Sequence, residues 1–260
     1  MNQSFDDYYL SLYGGRWPSL RRALLEESRS VPFTGSRLVS PYYMDSGSIR
    51  AAESLRPAES GIVLDACAAP GGKSLVLASS LFEGATLLSN EVSRERRRRL
   101  LNVLDSHLSA EAKALVSVSG FDAAALGGRA DQRNRFAGVL LDAPCSSERH
   151  VLQNENALSR WTPARPRFLA RRQWALLSSC FLLLKPGAPL VYVTCALSPE
   201  ENDGVAGRLI AKYGDKAALD PPCFPEGEKT AFGRIILPDF SGGAGPMYVA
   251  RFVKTHGRAD

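Results

Sequence analysis

Two thiols and a carboxyl, Cys145, Cys195 and Asp142, stand where apolar runs end. Those are the places at which a parallel α/β sheet presents side chains to a ligand. Residues 138–141 lead into Asp142-Ala143-Pro144-Cys145, and residues 189–193 lead into Thr194-Cys195. A third run, Ile62-Val63-Leu64, ends in Asp65-Ala66-Cys67. A cysteine used only as a small core hydrophobe belongs inside a strand or helix, which is where Cys180 is expected. Cys223, among prolines in a loop, has no such setting. The thiolate is the reactive form of cysteine, so a site that uses one must hold its pKa below the usual value of about 8.5.

The turn after the third run supplies a ligand site. In Asp65-Ala66-Cys67-Ala68-Ala69-Pro70-Gly71-Gly72-Lys73-Ser74 an apolar strand passes through small residues into a helix. That is the opening of a nucleotide or dinucleotide pocket, with room for a ligand against backbone amides and the positive end of the helix. Two ligand classes fit. Gly72-Lys73-Ser74 ends like a phosphate-binding P-loop, but that motif needs its first glycine where Cys67 stands. A dinucleotide-like or S-adenosylmethionine (AdoMet) pocket instead needs an acid about 20 residues on, for ribose hydroxyls. Glu91, after Thr86-Leu87-Leu88-Ser89-Asn90, supplies it.

A thiol, an acid and a methyl donor have a natural substrate in cytosine. Its carbon 5 is a poor nucleophile. Addition of a thiolate to carbon 6, with an acid at ring nitrogen 3, makes carbon 5 enamine-like and able to attack an electrophilic methyl group. Loss of the carbon 5 proton and elimination then free the thiol. One hard step becomes two easier ones, with proton transfers contributing roughly 10²–10⁴-fold.

The elements that must position these residues follow from periodicity. Strands are expected at 62–66, 86–90, 115–118, 138–141 and 189–194, and helices at 73–82, 94–106 and 165–184. Near-continuous apolar strands joined by helices imply a parallel sheet covered on both faces. The tail, 233–238 and 247–254 around Gly242-Gly243-Ala244-Gly245, reads as an antiparallel hairpin at one edge. The expected architecture is therefore α/β, Rossmann-like, with a mostly parallel seven-stranded sheet. Residues 1–55 read as a separate helical region with little sheet character, ahead of a catalytic domain over 56–260. Its aromatic stripe, Phe5, Tyr8, Tyr9, Leu12 and Tyr13, is read as core packing. The basic run Arg94-Glu95-Arg96-Arg97-Arg98-Arg99 is read, Arg96 apart, as a solvated helix face.

Bulk properties exclude other classes. The chain has 260 residues, with 45% hydrophobic and 23% charged, an ordinary globular composition. No apolar run approaches the roughly 20 residues that span a bilayer. The amino terminus has neither signal-peptide nor transit-peptide character, so a cytoplasmic location is expected. Net charge of +5 permits a polyanionic partner. Five scattered cysteines and three distant histidines leave no metal spacing, and no metal is expected.

Three strings in order carry a resemblance: Cys67-Ala68-Ala69-Pro70-Gly71-Gly72-Lys73, Asp142-Ala143-Pro144-Cys145-Ser146, and Thr194-Cys195-Ala196-Leu197-Ser198-Pro199-Glu200-Glu201-Asn202. Together with Gln173, Leu176-Leu177 and Lys185-Pro186-Gly187 they resemble the Nop/Sun family of RNA (cytosine-5)-methyltransferases over about the last 200 residues. The amino-terminal Arg16-Trp17-Pro18-Ser19-Leu20-Arg21 is similar to the branch containing the mitochondrial ribosomal-RNA enzyme. The resemblance implies AdoMet as cofactor, RNA (ribosomal above all) as substrate, and no membrane. It implies Cys195 as nucleophile, Cys145 as the thiol that assists release, and Asp142 on nitrogen 3 and the exocyclic amine, with Lys73 at the target base. The residue types alone do not rank the two thiols. Cys67, Ala68, Ala69, Pro70, Gly71, Gly72 and Lys73 would wrap the methionine part of AdoMet, Glu91 its ribose and Asp122 its adenine, with Arg96 and Asp142 also at the cofactor. Glu91 stands where the family more often has Asp, and Ala123 where glycine is frequent.

No appended RNA-binding domain is expected, so target selection would come from the short amino-terminal region, the basic surface or a partner protein; the chain itself is read as a monomer. A P-loop NTPase and a non-catalytic RNA-binding assembly factor are the alternatives. Tight ATP–Mg²⁺ binding without AdoMet binding would favour the first, and the second leaves the thiols without a task.

Overall fold

The computed structural model describes residues 3–56, 60–222 and 224–256. Cys223, which enters the sequence reading, lies outside the described residues. Two helices open the chain, α1 (Phe5–Tyr13) and α2 (Trp17–Leu25). Next come a hairpin of β1 (Ser30–Phe33) and β2 (Tyr42–Asp45), then α3 (Ser46–Glu53). The hairpin corrects the expectation of little sheet character in this region. Its strands have four residues each and one contains Pro32, too little for an alternating pattern to register.

The α/β part begins with β3 (Ile62–Asp65), α4 (Gly72–Ser79), β4 (Thr86–Asn90), α5 (Arg94–His107), α6 (Ala110–Lys113), β5 (Val116–Ser119) and α7 (Ala123–Leu126). It continues through β6 (Gly138–Asp142), α8 (Glu148–Gln153), α9 (Glu155–Ser159), α10 (Ala164–Leu183), β7 (Pro189–Thr194) and α11 (Asp203–Tyr213). The chain closes with β8 (Ala217–Leu219), β9 (Glu228–Lys229), β10 (Arg234–Ile236) and β11 (Met247–Lys254).

The main sheet runs β5-β4-β3-β6-β7-β11-β10-β9, with β8 also paired to β11. The first five strands are parallel, and β11, β10, β9 and β8 are antiparallel additions. The α/β class, the parallel centre and the antiparallel edge agree with the sequence reading. The strand count among the described residues differs: nine, not seven, because β8 and β9 have three and two residues, below what a period of two can signal.

From β3 the chain steps outward to β5 and then returns to β6 on the other side of β3, so the strand order reverses between β3 and β6. A crevice opens at that reversal, beyond the carboxyl ends of the strands. Register sets what borders it: Asp65 is level with Leu140 of β6, and Asp142 with Val193 of β7. Asp65, Asp142 and Thr194 thus end three adjacent strands at one rim.

One face of the sheet is packed by α10 and its neighbours around Leu141, Phe181 and Tyr192, the other by α3, α4 and α5 around Val63, Leu75 and Leu100. The amino-terminal aromatics join the first of these cores. Phe5 lies 4.7 Å from Tyr9 and 5.0 Å from Trp161, and Tyr9 stacks on Trp17 at 5.3 Å between ring centres. Among the described residues no helix is long and apolar enough to cross a membrane.

Candidate active site

The turn between β3 and α4 is shaped by two glycines. Gly71, at φ +125°, caps α4 and lies against Val103, so a side chain there would be strained in backbone and in space. A Cβ on Gly72 would stand 2.8 Å from the Tyr42 ring and 3.2 Å from Met44. The gap it keeps open is a cavity of about 110 Å³ lined by Tyr42, Ser48, Pro70, Lys73 and Asp142 among others. Ala68, Ala69 and Gly72 line it as well. Asp65 lies at its floor, where Oδ2 accepts from Ser74 Oγ at 2.7 Å. Burial, against that hydrogen bond, pushes its carboxyl up to about 7.

Lys73 Nζ donates to Asp142 Oδ2 at 2.8 Å and to Ser48 Oγ at 3.2 Å. Burial works against the ammonium, but the charge and hydrogen bond of Asp142 outweigh it and its pKa rises. Lys73 therefore holds a fixed positive charge beside the acid.

A second cavity, of about 350 Å³, opens where Cys67, Glu91, Arg96, Phe121, Asp122 and Pro144 meet. Glu91 is buried; its Oε1 accepts from Ser93 N at 2.9 Å, whereas Oε2 has no hydrogen-bond donor and faces Arg96 Nη1 at 3.4 Å. A buried carboxylate oxygen that faces a cavity and accepts no hydrogen bond is able to take a hydroxyl donor. Arg96 also donates to Ala69 O at 2.9 Å, tying the Gly-rich turn to the end of β4. Asp122 caps α7 through Oδ1 and lines the same space. Cys67 borders both cavities, but burial above all raises its pKa well above the usual thiol range.

The two remaining thiols meet. Cys145 Sγ and Cys195 Sγ are 2.9 Å apart, although 50 residues separate them in the chain. Ser147, at a left-handed φ of +55°, places its Oγ 3.3 Å from Cys195 Sγ and 3.5 Å from Cys145 Sγ. A non-glycine residue in that conformation is uncommon and collects at functional sites. The hydrogen bond from Cys145 first, opposed by burial, and then that from Ser147 lower the pKa of Cys195. The same contact, with burial, raises that of Cys145 well above its usual value. Of the two thiols, Cys195 is therefore the more readily ionised. Cys195 and Ser147 open onto a third cavity, of about 410 Å³, with Asp45, Arg149, His150 and Met247.

Below the thiols a buried network clamps their two loops together. Ser146 Oγ contacts both Glu148 Oε1 and Glu201 Oε1. Ser146 N and Gln173 Nε2 donate to Glu201 Oε2 at 3.0 and 2.8 Å, and Leu197 N to Glu148 Oε2 at 3.0 Å. The Tyr9 hydroxyl donates to Glu148 Oε1, and that of Tyr13 to Leu197 O at 2.8 Å, so α1 braces the loop after Cys195. A hydroxyl carries one hydrogen. Between two carboxyls Ser146 can donate to only one, and the other contact needs a carboxyl proton. Glu201 is the holder: both donors on its Oε2 leave Oε1 to carry it, and burial, with the charge of Glu148, pushes its pKa up to about 7.

The candidate catalytic and cofactor residues named from the sequence lie on this rim except Gly71, which is buried behind it. Tyr42, Ser48, Ser147 and Glu148 escaped the sequence reading. Ser147-Glu148, opening α8 two residues after Cys145, was the only local signal for any of them.

Known proteins are similar to this chain in sequence and in fold. The chain is 37% identical over 201 residues to ribosomal RNA small subunit methyltransferase F of Aeromonas salmonicida, covering 75% of this chain and 41% of that protein. For the protein of the same name from Serratia proteamaculans the figures are 34% over 199 residues, 75% and 40%. The chain thus spans about two fifths of the length of these relatives. Among solved structures, NSun6 from Pyrococcus horikoshii with SFG superposes with a TM-score of 0.68 at 25% identity, over 83% of this chain and 53% of that one. A methyltransferase homolog protein from the same organism, at 22% identity, covers 95% of this chain and 93% of its own with a TM-score of 0.72, a likeness of fold. The sheet is accordingly that of a Rossmann-like methyltransferase. A family model described as 16S rRNA methyltransferase RsmB/F matches residues 52–253, all of the main sheet but the last residue of β11 and every residue of the rim from Cys67 to Glu201, and the chain belongs to that family.

Proposed function

We propose that this chain transfers a methyl group from AdoMet to carbon 5 of a cytosine in RNA, most directly small-subunit ribosomal RNA, through a covalent Cys195 adduct. The observation that carries the reading is the meeting of Cys195, Cys145, Asp142 and Lys73 at one sheet rim, beside a turn and a cavity shaped for a nucleoside. Family membership supports the reaction class and the RNA substrate.

When bound, AdoMet supplies an electrophilic methyl group. The residues present fit it: the space that Gly72 keeps open suits the methionine part along Cys67, Ala68, Ala69, Pro70 and Lys73, and Glu91 Oε2, which accepts no hydrogen bond within the fold, suits a ribose hydroxyl. Asp122 borders the same cavity, on the adenine side, and Arg96 fixes the turn against Glu91. Cys195, held towards thiolate by Cys145 and Ser147, adds to carbon 6 of a cytosine taken out of its stack. Asp142, with Lys73 at 2.8 Å, holds nitrogen 3 and the exocyclic amine. Cys145, which keeps its proton, stands next to the sulfur that must leave and assists release.

The direct test is incubation with labelled AdoMet and an unmodified bacterial 16S rRNA transcript, followed by digestion to nucleosides. Label in 5-methylcytidine is expected; label in another nucleoside, or none, overturns the reading. The cofactor site has its own test. Glu91→Ala is expected to weaken AdoMet binding roughly 10–100-fold in calorimetry, the worth of hydrogen bonds to a charged group. Unchanged affinity would remove Glu91 from the ribose.

A further inference from the structure

The sequence from Glu155 to Glu200 contains no acidic residue in between, yet carries Arg160, Arg165, Arg167, Arg171, Arg172 and Lys185. Four of these arginines ride on the first half of α10, and all four are exposed. Among the described residues none of the four is in an ion pair. Phe168 lies among them with 65% of its surface exposed.

By itself this arrangement is unfavourable. Arg167 and Arg171 are one helical turn apart with like charge, and cations in a first turn oppose the helix dipole. The contrast with α5 sharpens the point. There Arg96 faces Glu91, Arg99 pairs with Glu95 at 2.9 Å, and Arg97 donates to Glu91 O at 2.7 Å. Three of the five α5 arginines are thus tied to acceptors of their own element and the strand end before it, two of them in ion pairs, whereas none of the four on α10 is in an ion pair among the described residues. The place of the α10 run also differs. Arg165 Nη2 lies 3.5 Å from Ser146 O in the Cys145 loop, and Gln173, the next residue after Arg172, donates to Pro144 O at 2.9 Å. The exposed arginines therefore border the loop that carries Asp142 and Cys145.

We propose that the first half of α10 is a docking rail for the RNA backbone, on which Arg165, Arg167 and Arg171 neutralise phosphates while Phe168 stacks on a base flanking the target cytosine. Residues 165 to 172 span about 10 Å along the helix, which allows contact with two consecutive phosphates. Unpaired guanidinium groups around an exposed ring match single-stranded or splayed RNA, which offers phosphates and open base faces together. The assignment rests on the RNA reading above and adds to it where the strand lies.

The test compares three variants with the wild type for binding to an unmodified 16S rRNA transcript at several salt concentrations. Arg167→Glu/Arg171→Glu is expected to weaken binding about tenfold or more and to lower the slope of log affinity against log salt by about 2. Phe168→Ala is expected to weaken it roughly tenfold with the slope unchanged. Arg94→Glu/Arg98→Glu, the same change of net charge placed on α5, is expected to stay within about twofold of wild type. AdoMet binding, measured on each, should not move and shows that the fold is intact. Wild-type affinity in the α10 pair, or an equal loss in the α5 pair, overturns the rail and leaves the RNA reading standing. A wild-type protein that neither binds nor methylates the transcript overturns both.

Discussion

Replacing Cys195 with alanine is expected to lower methyl transfer to RNA by roughly 10⁴-fold or more, the scale seen when a covalent nucleophile is removed. Replacing Cys145 is expected to give a different phenotype: methyl transfer without release, visible as a protein–RNA adduct that survives denaturing electrophoresis and requires AdoMet. The asymmetry comes from the site. Cys195 has a hydrogen-bonding thiol at 2.9 Å and the nearer approach of Ser147 Oγ, at 3.3 Å, which together lower its pKa. The pKa of Cys145 is raised by the same contact and by burial, which fits the proposed role in release. An adduct trapped by Cys195→Ala, and none by Cys145→Ala, would mean the two roles are exchanged. Wild-type turnover in Cys195→Ala would end the covalent mechanism.

The second large effect is on stability and concerns the carboxyls below the thiols. Glu148→Ala strips the acceptor from the Tyr9 hydroxyl, Leu197 N and the Ser146 hydroxyl, all at buried positions. At about 1–3 kcal/mol for each donor left unsatisfied, a loss of about 3–5 kcal/mol is expected in urea unfolding. Glu201→Gln is expected to be mild. An amide nitrogen can donate to Ser146 Oγ where the carboxyl proton did, while the amide oxygen keeps the bonds from Ser146 N and Gln173.

What the amide removes is a titration. The folded protein holds the Glu201 proton up to about 7, and the unfolded chain loses it near 4.5. Between those values the folded state binds more protons than the unfolded one. Stability contributed by this group is complete below about pH 4.5 and falls as pH rises towards 7, at about 1.4 kcal/mol per pH unit. Asp65, also held near 7 by burial, adds a fall of the same sign. Glu201→Gln should make the decline between pH 5 and 7 shallower by about 1.4 kcal/mol per unit; an unchanged slope would show that Glu201 is ionised throughout.

The fold and the identity of the chemical groups were legible in the sequence because each rests on local pattern. Apolar runs of four to six residues fix where the parallel strands stop, and a strand's end is where a ligand can be met, so Asp65, Asp142 and Cys195 could be placed at one rim from order alone. The amphipathic helices α5 and α10 were legible for the same reason. The short strands β1, β8 and β9 were not, because they hold too few alternations and exist only through their partners.

The contact of the two thiols was likewise beyond the residue types. It depends on a separation of 2.9 Å fixed by the pairing of β6 with β7, and on a hydroxyl held between them by a strained backbone at Ser147. The clamp below them joins Tyr9, Ser146, Glu148, Gln173 and Glu201, up to 192 residues apart. Spacing along a chain carries no information about contacts of that range. Only the closed core, which places α1 against the loop after Cys195 and removes water from the carboxyls, turns ordinary acids into a proton-sharing pair.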